Sequence, residues 1–331
     1  MTPLELTLAC ASNDRTRALE DGRVQPEGMA LRCIGLSPEE TFFRMVRHRE
    51  FDVAELSLST YVLTLEDGAP FVAIPVFPSR AFRHNGIYVN SASDVKEPAD
   101  LVGGTVGVAE YQLTANVWIR GILAEFHSVP VGAVRYMTGG LHEPGRVEKV
   151  ELPGLPAGVE VVMSPPGRTL AGMLVDGEID AIYTPRTPQP FLDGDSRVRR
   201  LFPDVRAVEE RYFELTGIFP IMHVVVVRHE VYQAHRWVAG SLLKAFTQSR
   251  DLALADLDET ATLPLILPWI YEDIARVRSV MGSAFWSYGM NPGNELSLRT
   301  FLRYSAEQGL ASRQLEPADL FAPETLDTVV V

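Results

Sequence analysis

The first eighty residues alternate short apolar runs with helical patterns, and this rhythm restricts the fold more than any other feature. Apolar runs of strand length occur at 4–9, 31–34, 53–56 and 71–77. Between the second and third runs, Ser37-Pro38-Glu39-Glu40 has the pattern of a helix start, with an N-cap serine and a proline at the first helical position. Strand, helix and strand in this order predict a parallel sheet and the α/β class.

A second series of apolar runs begins near Gly86. Strands are predicted at 87–89, 105–108, 134–137, 159–163 and 181–183, and helices at 114–126, 169–175 and 204–214. A β-branched run at 219–228 is interpreted as a strand that crosses back to the first lobe, and helices are predicted after it at 232–250, 267–280 and 296–308. The loop at 138–158 is rich in glycine, proline and charge, which predicts a surface position.

These elements predict two mixed α/β lobes with flanking helices, the second inserted into the first. Lobe I is predicted to comprise residues 1–82 and 222–331, including a helical C-terminal region, and lobe II residues 83–221. Two crossovers, near 77–86 and 215–222, predict a hinged cleft. Ligands of open α/β sheets bind outside the carboxyl ends of the strands, so polar residues that follow strands are the candidates for a site.

Composition limits the partners of the chain. The 331 residues carry a formal net charge of −13, which disfavours nucleic acid and anionic membranes as partners and requires Arg and His to gather wherever an anionic ligand binds. Glu5 interrupts the first apolar run, so we expect no signal peptide. No apolar run approaches the length of a membrane span, and we therefore expect a cytoplasmic protein. Cys10 and Cys33, the two cysteines, are interpreted as small buried hydrophobes.

Common catalytic motifs are absent from the sequence. It contains no G-x-G-x-x-G, no G-K-[ST] phosphate loop and no G-x-S-x-G nucleophile elbow. His229 and His235 are six residues apart, whereas a zinc protease helix needs two histidines four residues apart. Dinucleotide-binding, zinc protease and serine hydrolase chemistry therefore have no direct support.

Cationic residues follow two of the predicted strands. Arg80, Arg83 and His84 come after the run that ends at residue 77, and Arg186 follows the run at 181–183. Arginine binds carboxylates in bidentate fashion, so these residues are candidate clamps for an anionic substrate. The alternative is a solvated linker that pairs with surface carboxylates.

Glu110, Tyr111 and Gln112 follow the strand at 105–108 and precede a helix with Thr114 as its predicted N-cap. Free N–H groups and positive potential at a helix N-terminus stabilise ligand oxygens. Glu110 is also a candidate acceptor of a phenolic proton or a hydroxyl hydrogen bond. The alternative is a surface glutamate in a loop.

His223 interrupts the apolar run at 218–227, on the same predicted strand face as Phe219 and Ile221. Its place at the second crossover predicts an acid or base that faces the cleft, and a satisfied core histidine is the alternative. Hydroxyl donors are predicted from the residues after the strands at 53–56 and 4–9, namely Ser57, Ser59 and Ser12.

At these residues the sequence resembles the 4,5-dihydroxyphthalate decarboxylase family. The matching segments span nearly the whole chain, and the most specific are Arg80-Ala-Phe-Arg-His84 and Gly217-Ile-Phe-Pro-Ile-Met-His223. The resemblance implies a type II periplasmic-binding-protein-like fold and non-oxidative decarboxylation of a hydroxylated aromatic acid. We expect the arginines to orient the carboxylates, His223 or His84 to donate a ring proton, and Glu110 to take the phenolic proton. No cofactor is expected, because the phenol serves as the electron sink.

One segment departs from the family pattern, with Ala284 where similar proteins tend to carry Asp and Glu295 where they tend to carry Arg. If this segment lines the cleft, the substrate need not be 4,5-dihydroxyphthalate itself. A solute-binding or sensing protein without catalysis is the main alternative, and an enzyme of another class on the same fold is a third. The partners that we expect for this chain are a small anionic aromatic molecule and further copies of the chain.

Overall fold

The computed structural model describes residues 3–152 and 154–327 of the chain. The chain divides into two compact units. Unit 1 comprises Met1–Arg80, Phe213–Arg299 and Leu315–Val331, and unit 2 comprises Ala81–Tyr212 and Thr300–Gln314.

Each unit contains one mixed sheet with helices. In chain order the strands are β1 Leu4–Cys10, β2 Met29–Gly35, β3 Val53–Ser57, β4 Phe71–Ile74, β5 Ile87–Asn90, β6 Thr105–Val108, β7 Arg135–Thr138, β8 Glu160–Met163, β9 Ala181–Tyr183, β10 Val198–Arg200 and β11 His223–Arg228. The helices are α1 Asp14–Glu20, α2 Pro38–His48, α3 Leu58–Thr64, α4 Thr114–Phe126, α5 Leu170–Asp176, α6 Gln189–Leu192, α7 Val205–Thr216, α8 His229–Ala234, α9 Trp237–Asp256, α10 Ile270–Met281 and α11 Pro292–Glu307.

The sheet of unit 1 has the strand order β2-β1-β3-β11-β4. β1 runs parallel to β2 and β3, whereas β11 is antiparallel to β3 and β4. The apolar residues of β3 and β11 are fully buried, which explains why these strands read as continuous apolar runs. Because β11 is antiparallel, its first residue, His223, lies opposite Ser57 at the carboxyl end of β3. This edge is where ligands bind in open α/β sheets.

The sheet of unit 2 has the strand order β10-β5-β9-β6-β7-β8. β9, β6, β7 and β8 are mutually parallel, and β5 is antiparallel to its neighbours β9 and β10. The carboxyl ends of β6 and β9 therefore lie at the same edge as the amino end of β5. Glu110 follows β6 and Arg186 follows β9, while Arg83 and His84 precede β5. The topology thus brings the three polar segments predicted for this unit to one edge.

The mixed α/β architecture and the helix start at Ser37 are confirmed, since the Ser37 hydroxyl accepts a hydrogen bond from the backbone N–H of Glu40. Two strand predictions were too long. The strand expected at 219–228 begins only at His223, and the strand expected at 71–77 ends at Ile74. Pro220 and Pro75 stand in the lost portions, and proline has no N–H for a sheet ladder.

The predicted lobe I differs from unit 1, because residues 300–314 belong to unit 2. Residues 300–314 pack against α4, which belongs to unit 2. The Trp118 ring lies 5.7 Å from the rings of both Phe301 and Tyr304, and Arg120 Nε donates to Gln308 Oε1 at 2.6 Å. The helix predicted at 232–250 is also interrupted, forming α8 and α9.

Gly121 lies in the middle of α4, where glycine costs about 1 kcal/mol relative to alanine. A Cβ at this position would lie 2.1 Å from Cδ2 of Tyr304, so the ring occupies the space of a side chain. We expect Gly121→Ala to lower the free energy of unfolding by about 2 kcal/mol despite the better helix propensity of alanine. Gly240→Ala in α9 is the matched control, since no atom lies within 4 Å of its Cβ. Equal stabilisation of both variants in urea unfolding would contradict the packing argument.

Candidate active site

A histidine and a glutamate form a close pair at the carboxyl edge of the unit 1 sheet. His223 Nδ1 lies 2.6 Å from Glu55 Oε1, on neighbouring strands β11 and β3. The imidazole side chain is 17% exposed and the carboxylate side chain is 2% exposed. The pair therefore combines a buried carboxylate with a histidine that remains accessible. This geometry fixes the orientation of the ring and occupies one of its two nitrogens.

The Glu55 carboxylate is held ionised although it is buried. Burial opposes the charged form, but the hydrogen bond and positive charge of His223 outweigh it and keep the pKa of Glu55 below its usual value. The backbone N–H of Ala11 donates to Glu55 Oε2 at 3.0 Å, and the charge of Arg15 acts in the same direction. An ionised Glu55 offsets the positive charge of His223 whenever the ring carries two protons. Phe42 packs edge-on against the imidazole at 4.9 Å between centroids.

Arg15 and Trp286 complete the polar surroundings in unit 1. The Arg15 guanidinium carbon lies 4.4 Å from the centre of a Trp286 ring, and its Nε donates to the Pro78 carbonyl at 3.0 Å. Its Nη1 forms an ion pair with Asp14 at 2.6 Å, and the side chain stays partly exposed. Arg15 is thus a cation held near Glu55, and it was not predicted from the sequence. Its signal was the same as that of the other candidates, a polar residue shortly after a buried strand.

Arg80 is engaged with the main chain in unit 1. Its Nη1 donates to the Phe219 carbonyl at 3.1 Å, and its Nη2 donates to the Ser287 carbonyl at 3.0 Å and to the Asn294 side chain. Burial lowers the pKa of Arg80 to about 9. The hydrogen bonds tie the end of the first lobe to the segment 284–295, where the sequence departs from the family pattern. In the structure, Arg80 therefore supports this segment, whereas the sequence predicts a substrate clamp.

The three predicted serines differ in exposure. Ser57 is buried opposite His223, at the boundary between β3 and α3, and Ser59 is buried within α3. Ser12 is exposed after β1, and its hydroxyl occupies space that a side chain at position 35 would need, which accounts for Gly35. Ser12 and Ser57 therefore lie at the edge that carries His223, and Ser59 lies inside a helix.

Glu110 is the centre of a charge network in unit 2. The Glu110 carboxylate is fully buried, and it accepts from Arg146 Nη2 at 2.6 Å, from Lys149 Nζ and from Gln112 Nε2 at 2.8 Å. Burial raises the pKa of Glu110, but the charges of Lys149 and Arg146 outweigh this effect and leave the pKa below its usual value. The loop predicted to lie at the surface thus folds back and supplies both cations. A carboxylate with two cationic partners is a weak base.

Glu148, next to this network, has the opposite electrostatic character. Burial and the nearby Glu110 charge raise the pKa of Glu148 to about 7, although the Tyr111 and Gln112 backbone N–H groups lower it. Its Oε2 is buried and has no hydrogen-bond partner among the described residues. A carboxyl group that titrates near neutrality is a candidate proton acceptor, and Glu148 was not predicted from the sequence.

The residues after Glu110 are mostly structural. The Tyr111 ring is buried with the Arg120 guanidinium 3.9 Å above it, and its hydroxyl donates to the Gln308 carbonyl at 3.1 Å. Thr114 is the first residue of α4 and Leu113 is its N-cap, so the prediction of Thr114 as the N-cap was wrong. Tyr111, predicted to bind substrate, instead packs in the core of unit 2.

His84 lies in an aromatic cluster of unit 2 together with His127, Phe202 and Tyr212. The cluster buries the ring, and this burial and the neighbouring His127 lower the pKa of His84 to about 4. A neutral, buried imidazole suits packing better than proton donation near neutral pH. Between the two predicted histidines, the geometry favours His223 as the acid.

The two remaining predicted clamps belong to unit 2. Burial lowers the pKa of Arg83 to about 10, while the charge of Glu209 opposes this shift. Arg186 is exposed in the loop after β9, where its backbone N–H donates to the Thr184 hydroxyl at 3.0 Å. That hydrogen bond fixes the turn from which the Arg186 side chain projects. Binding of carboxylates by Arg83 and Arg186 stays a prediction.

The His84 environment predicts a pH effect on stability. The unfolded state takes up a proton on this histidine below a pH of about 6.5, whereas the folded state resists protonation down to about 4. The neutral ring therefore stabilises the folded state above pH 6.5. This stabilisation is lost as the pH falls toward 4, and the full loss is roughly 3 kcal/mol. The free energy of unfolding of His84→Leu, measured by urea titration, should depend less on pH over this window than that of the wild-type protein. Parallel curves for both proteins would contradict the prediction.

Within 3–152 and 154–327, no group of three or more His, Cys, Asp or Glu side chains is arranged to hold a metal ion. Over the same residues, no helix has the length and apolar character required to span a bilayer.

Solved structures define the class of fold. The chain is 12% identical to the periplasmic aliphatic sulphonate-binding protein SsuA from Escherichia coli, with a TM-score of 0.55 over 98% of this chain and 99% of that chain. A putative sulfonate-binding protein from Methylobacillus flagellatus gives a TM-score of 0.57 at 12% identity, covering 98% of this chain and 92% of that one. The desulfurization enzyme DSZB gives 0.51 at 14% identity, with 98% of each chain covered. The predicted periplasmic-binding-protein-like fold is therefore confirmed.

Sequence comparison defines the family. No family model matches the chain. A 4,5-dihydroxyphthalate decarboxylase from Comamonas testosteroni is 43% identical over 329 residues, covering 99% of both chains. A second protein of that name, from Pseudomonas putida, is 44% identical over 214 residues, which is 64% of this chain and 83% of the relative. The chain belongs to the 4,5-dihydroxyphthalate decarboxylase family.

Proposed function

We propose that this protein is a carboxy-lyase that converts 4,5-dihydroxyphthalate to protocatechuate and CO2 without oxidation. The observation that carries the proposal is the Glu55–His223 pair at the carboxyl edge of the unit 1 sheet, in a chain 43% identical to a 4,5-dihydroxyphthalate decarboxylase. The pair supplies a positioned acid for the step that this reaction requires.

The chemistry requires a proton before CO2 can leave. Direct loss of CO2 would leave a carbanion in the plane of the ring, where the aromatic electrons cannot stabilise it. If the carbon that bears the carboxylate first accepts a proton, the hydroxyl group para to it releases electron density and becomes a ketone as its own proton departs. The C–C bond then breaks, its electron pair restores the aromatic ring, and the oxygen regains a proton. One proton enters at carbon, and one CO2 leaves.

His223 is the proposed donor of the ring proton. Its Nδ1 is hydrogen-bonded to Glu55, so Nε2 is the nitrogen proposed to face a substrate. Glu55 acts as a positioning residue, since it holds the ring orientation and offsets the charge of the imidazolium. Arg15 is the proposed partner of a substrate carboxylate in unit 1, because Arg80 is engaged by main-chain carbonyls. The Trp286 indole beside Arg15 offers an apolar surface for an aromatic ring.

Unit 2 holds two carboxylates that differ as bases. Glu110 is the predicted acceptor of the phenolic proton, but its two cationic partners weaken it. Glu148, with a pKa raised to about 7, is the stronger acceptor. The variants Glu110→Gln and Glu148→Gln show which of the two carboxylates is the base. Replacing the residue that accepts the proton should lower kcat with little change in KM.

The test adds 4,5-dihydroxyphthalate and related hydroxybenzoates to purified, chelator-treated protein while CO2 release and the aromatic spectrum are followed. We expect stoichiometric CO2 and protocatechuate from 4,5-dihydroxyphthalate. Tight binding of the whole panel without turnover would refute the carboxy-lyase and support the solute-binding alternative. Activity on another hydroxylated acid alone would correct the substrate, as the changes at Ala284 and Glu295 allow.

We further propose that the protein acts in the cytoplasm and assembles with copies of itself. Cys10 and Cys33 are free thiols in the structure, which suits a reducing compartment. The small aromatic substrate makes nucleic acid and lipid unnecessary as partners. No resident cofactor is proposed, because the ring that carries the added proton and the para ketone accepts the electron pair of the C–C bond that breaks.

A further inference from the structure

Unit 1 carries an exposed apolar segment that the proposed reaction does not use. In the loop between α9 and α10, Ile266 is 100% exposed and Trp269 is 75% exposed. Leu263, Leu265 and Leu267 are each between 44% and 52% exposed. Soluble proteins rarely expose so many large apolar side chains in succession unless the surface binds something.

Helix α10 continues this apolar surface. Ile270, Ile274, Val277 and Met281 follow one another at spacings of four, three and four residues, which places them along one helix face. None of the twelve residues of α10, all of which the structure describes, is buried. Isolated helices of this length are marginal in water, so α10 requires contacts for its apolar face. We call residues 263–281 the apolar arm.

The apolar arm is attached to the end of α9 by specific contacts. The Tyr271 hydroxyl donates to the carbonyls of Thr262 at 2.8 Å and Glu259 at 3.2 Å. Arg278 Nη1 forms an ion pair with Asp258 at 2.6 Å. These interactions hold the exposed residues in place, so the apolar arm is a defined surface of unit 1.

The area of this surface fits a protein interface. If a large apolar side chain presents roughly 200 Å² when fully exposed, the five residues of the loop alone leave roughly 600 Å² uncovered. A standard interface takes about 800 Å² from each partner, so the loop and the face of α10 together supply enough area for a stable dimer. The exposed residues include Trp and Leu at the centre of the surface, with charged residues at its margins.

The charges around the apolar arm select the kind of partner. Asp256, Glu259 and Glu272 are exposed around it together with Arg276, and the chain as a whole has a formal net charge of −13. Acidic groups repel nucleic acid and anionic lipid surfaces, so neither suits this site. A partner must itself be an apolar protein surface of similar size. The apolar arm of a second copy meets this requirement, and most soluble oligomers are homo-oligomers with twofold symmetry.

We propose that the apolar arm is a self-association surface, through which two copies of this chain pair about a twofold axis. This inference rests on the homo-oligomer proposed above and names the surface that forms it. Around such an axis each apolar arm buries the other, and the half-buried apolar face of α10 is covered further.

Sedimentation velocity on the full-length chain tests the inference independently of catalysis. We expect the wild-type protein to sediment as a dimer or larger species at micromolar concentration. Ile266→Asp/Trp269→Asp should reduce the mass by at least half and raise the dissociation constant about 100-fold or more, because central apolar residues dominate interface energies. Leu192→Asp/Leu215→Asp is the matched control, since both leucines are about 60% exposed elsewhere, and it should assemble as the wild type does.

Four outcomes would overturn the inference. They are a monomeric wild-type protein at 100 μM, an unchanged mass for the apolar arm variant, equal dissociation by the control variant, and arm-dependent binding of the monomer to vesicles of phosphatidylcholine and phosphatidylglycerol. Circular dichroism and decarboxylation are recorded on the same samples. An assembled protein without turnover would refute the proposed function alone, and an active monomer would refute the apolar arm alone.

Discussion

His223→Ala is expected to lower kcat for 4,5-dihydroxyphthalate by about 10³-fold or more while the protein remains folded. General acid catalysis by a positioned side chain contributes about 10²–10⁴-fold, and His223 is the proposed donor of the ring proton. KM should change little, because the proposed role of His223 lies in the chemical step. Turnover is measured by single-turnover absorbance, and folding is measured by circular dichroism.

Glu55 variants separate positioning from simple packing. Glu55→Gln keeps the size of the side chain but removes the charge that offsets the imidazolium, so kcat should fall at least about 10-fold and its pH profile should shift. Phe42→Leu, which changes only the ring packed edge-on against His223, is the control and should retain most activity. Activity of His223→Ala within about 10-fold of wild type would refute the assignment of the acid.

The second large effect concerns stability. Lys149→Met is expected to lower the free energy of unfolding by about 3 kcal/mol, because it leaves the buried Glu110 carboxylate with Arg146 as its remaining cation. Adding Glu110→Gln should recover part of this loss, since the uncompensated charge is then gone. Urea unfolding of the wild-type protein and the single and double variants gives the coupling between the two residues.

The pH dependence follows from the low pKa of Glu110. The network stabilises the folded state above the unfolded pKa of a glutamate, and this stabilisation is lost as the pH falls through the lower pKa of the folded state. The difference between wild type and Lys149→Met should therefore shrink in acid. Arg135→Met, which breaks the exposed Arg135–Glu160 pair, is the control and should leave the unfolding midpoint unchanged. Equal midpoints for all variants would show that the network contributes nothing.

Local sequence pattern was enough to predict most of the fold. The bounds of α4 agree with the helix predicted at 114–126, because its apolar spacing and flanking residues are local signals. The polar segments before β5 and after β6 and β9 were predicted to converge, and they reach one edge because β6 and β9 are parallel while β5 is antiparallel to β9. The assignment of residues 300–314 failed because it depends on where Tyr304 and Gln308 pack, which helical periodicity does not encode.

The partners within the site could not be read from sequence. Glu55 and His223 are 168 residues apart, and their contact depends on the register of β11 against β3. Arg146 and Lys149 lie in a loop without periodic pattern, so their return to Glu110 left no signal. Arg80 was interpreted as a clamp because sequence gives the charge of a side chain but not the carbonyls that already occupy it.

Turnover of 4,5-dihydroxyphthalate in D2O tests the central claim most directly. The proposal predicts that the wild-type protein releases one CO2 per substrate and forms protocatechuate with one deuterium at the carbon that lost its carboxylate, read by proton NMR. His223→Ala should form this product at least about 10³-fold more slowly. A wild-type protein that binds the substrate without releasing CO2, or a His223→Ala variant that labels the ring at the wild-type rate, would contradict the account.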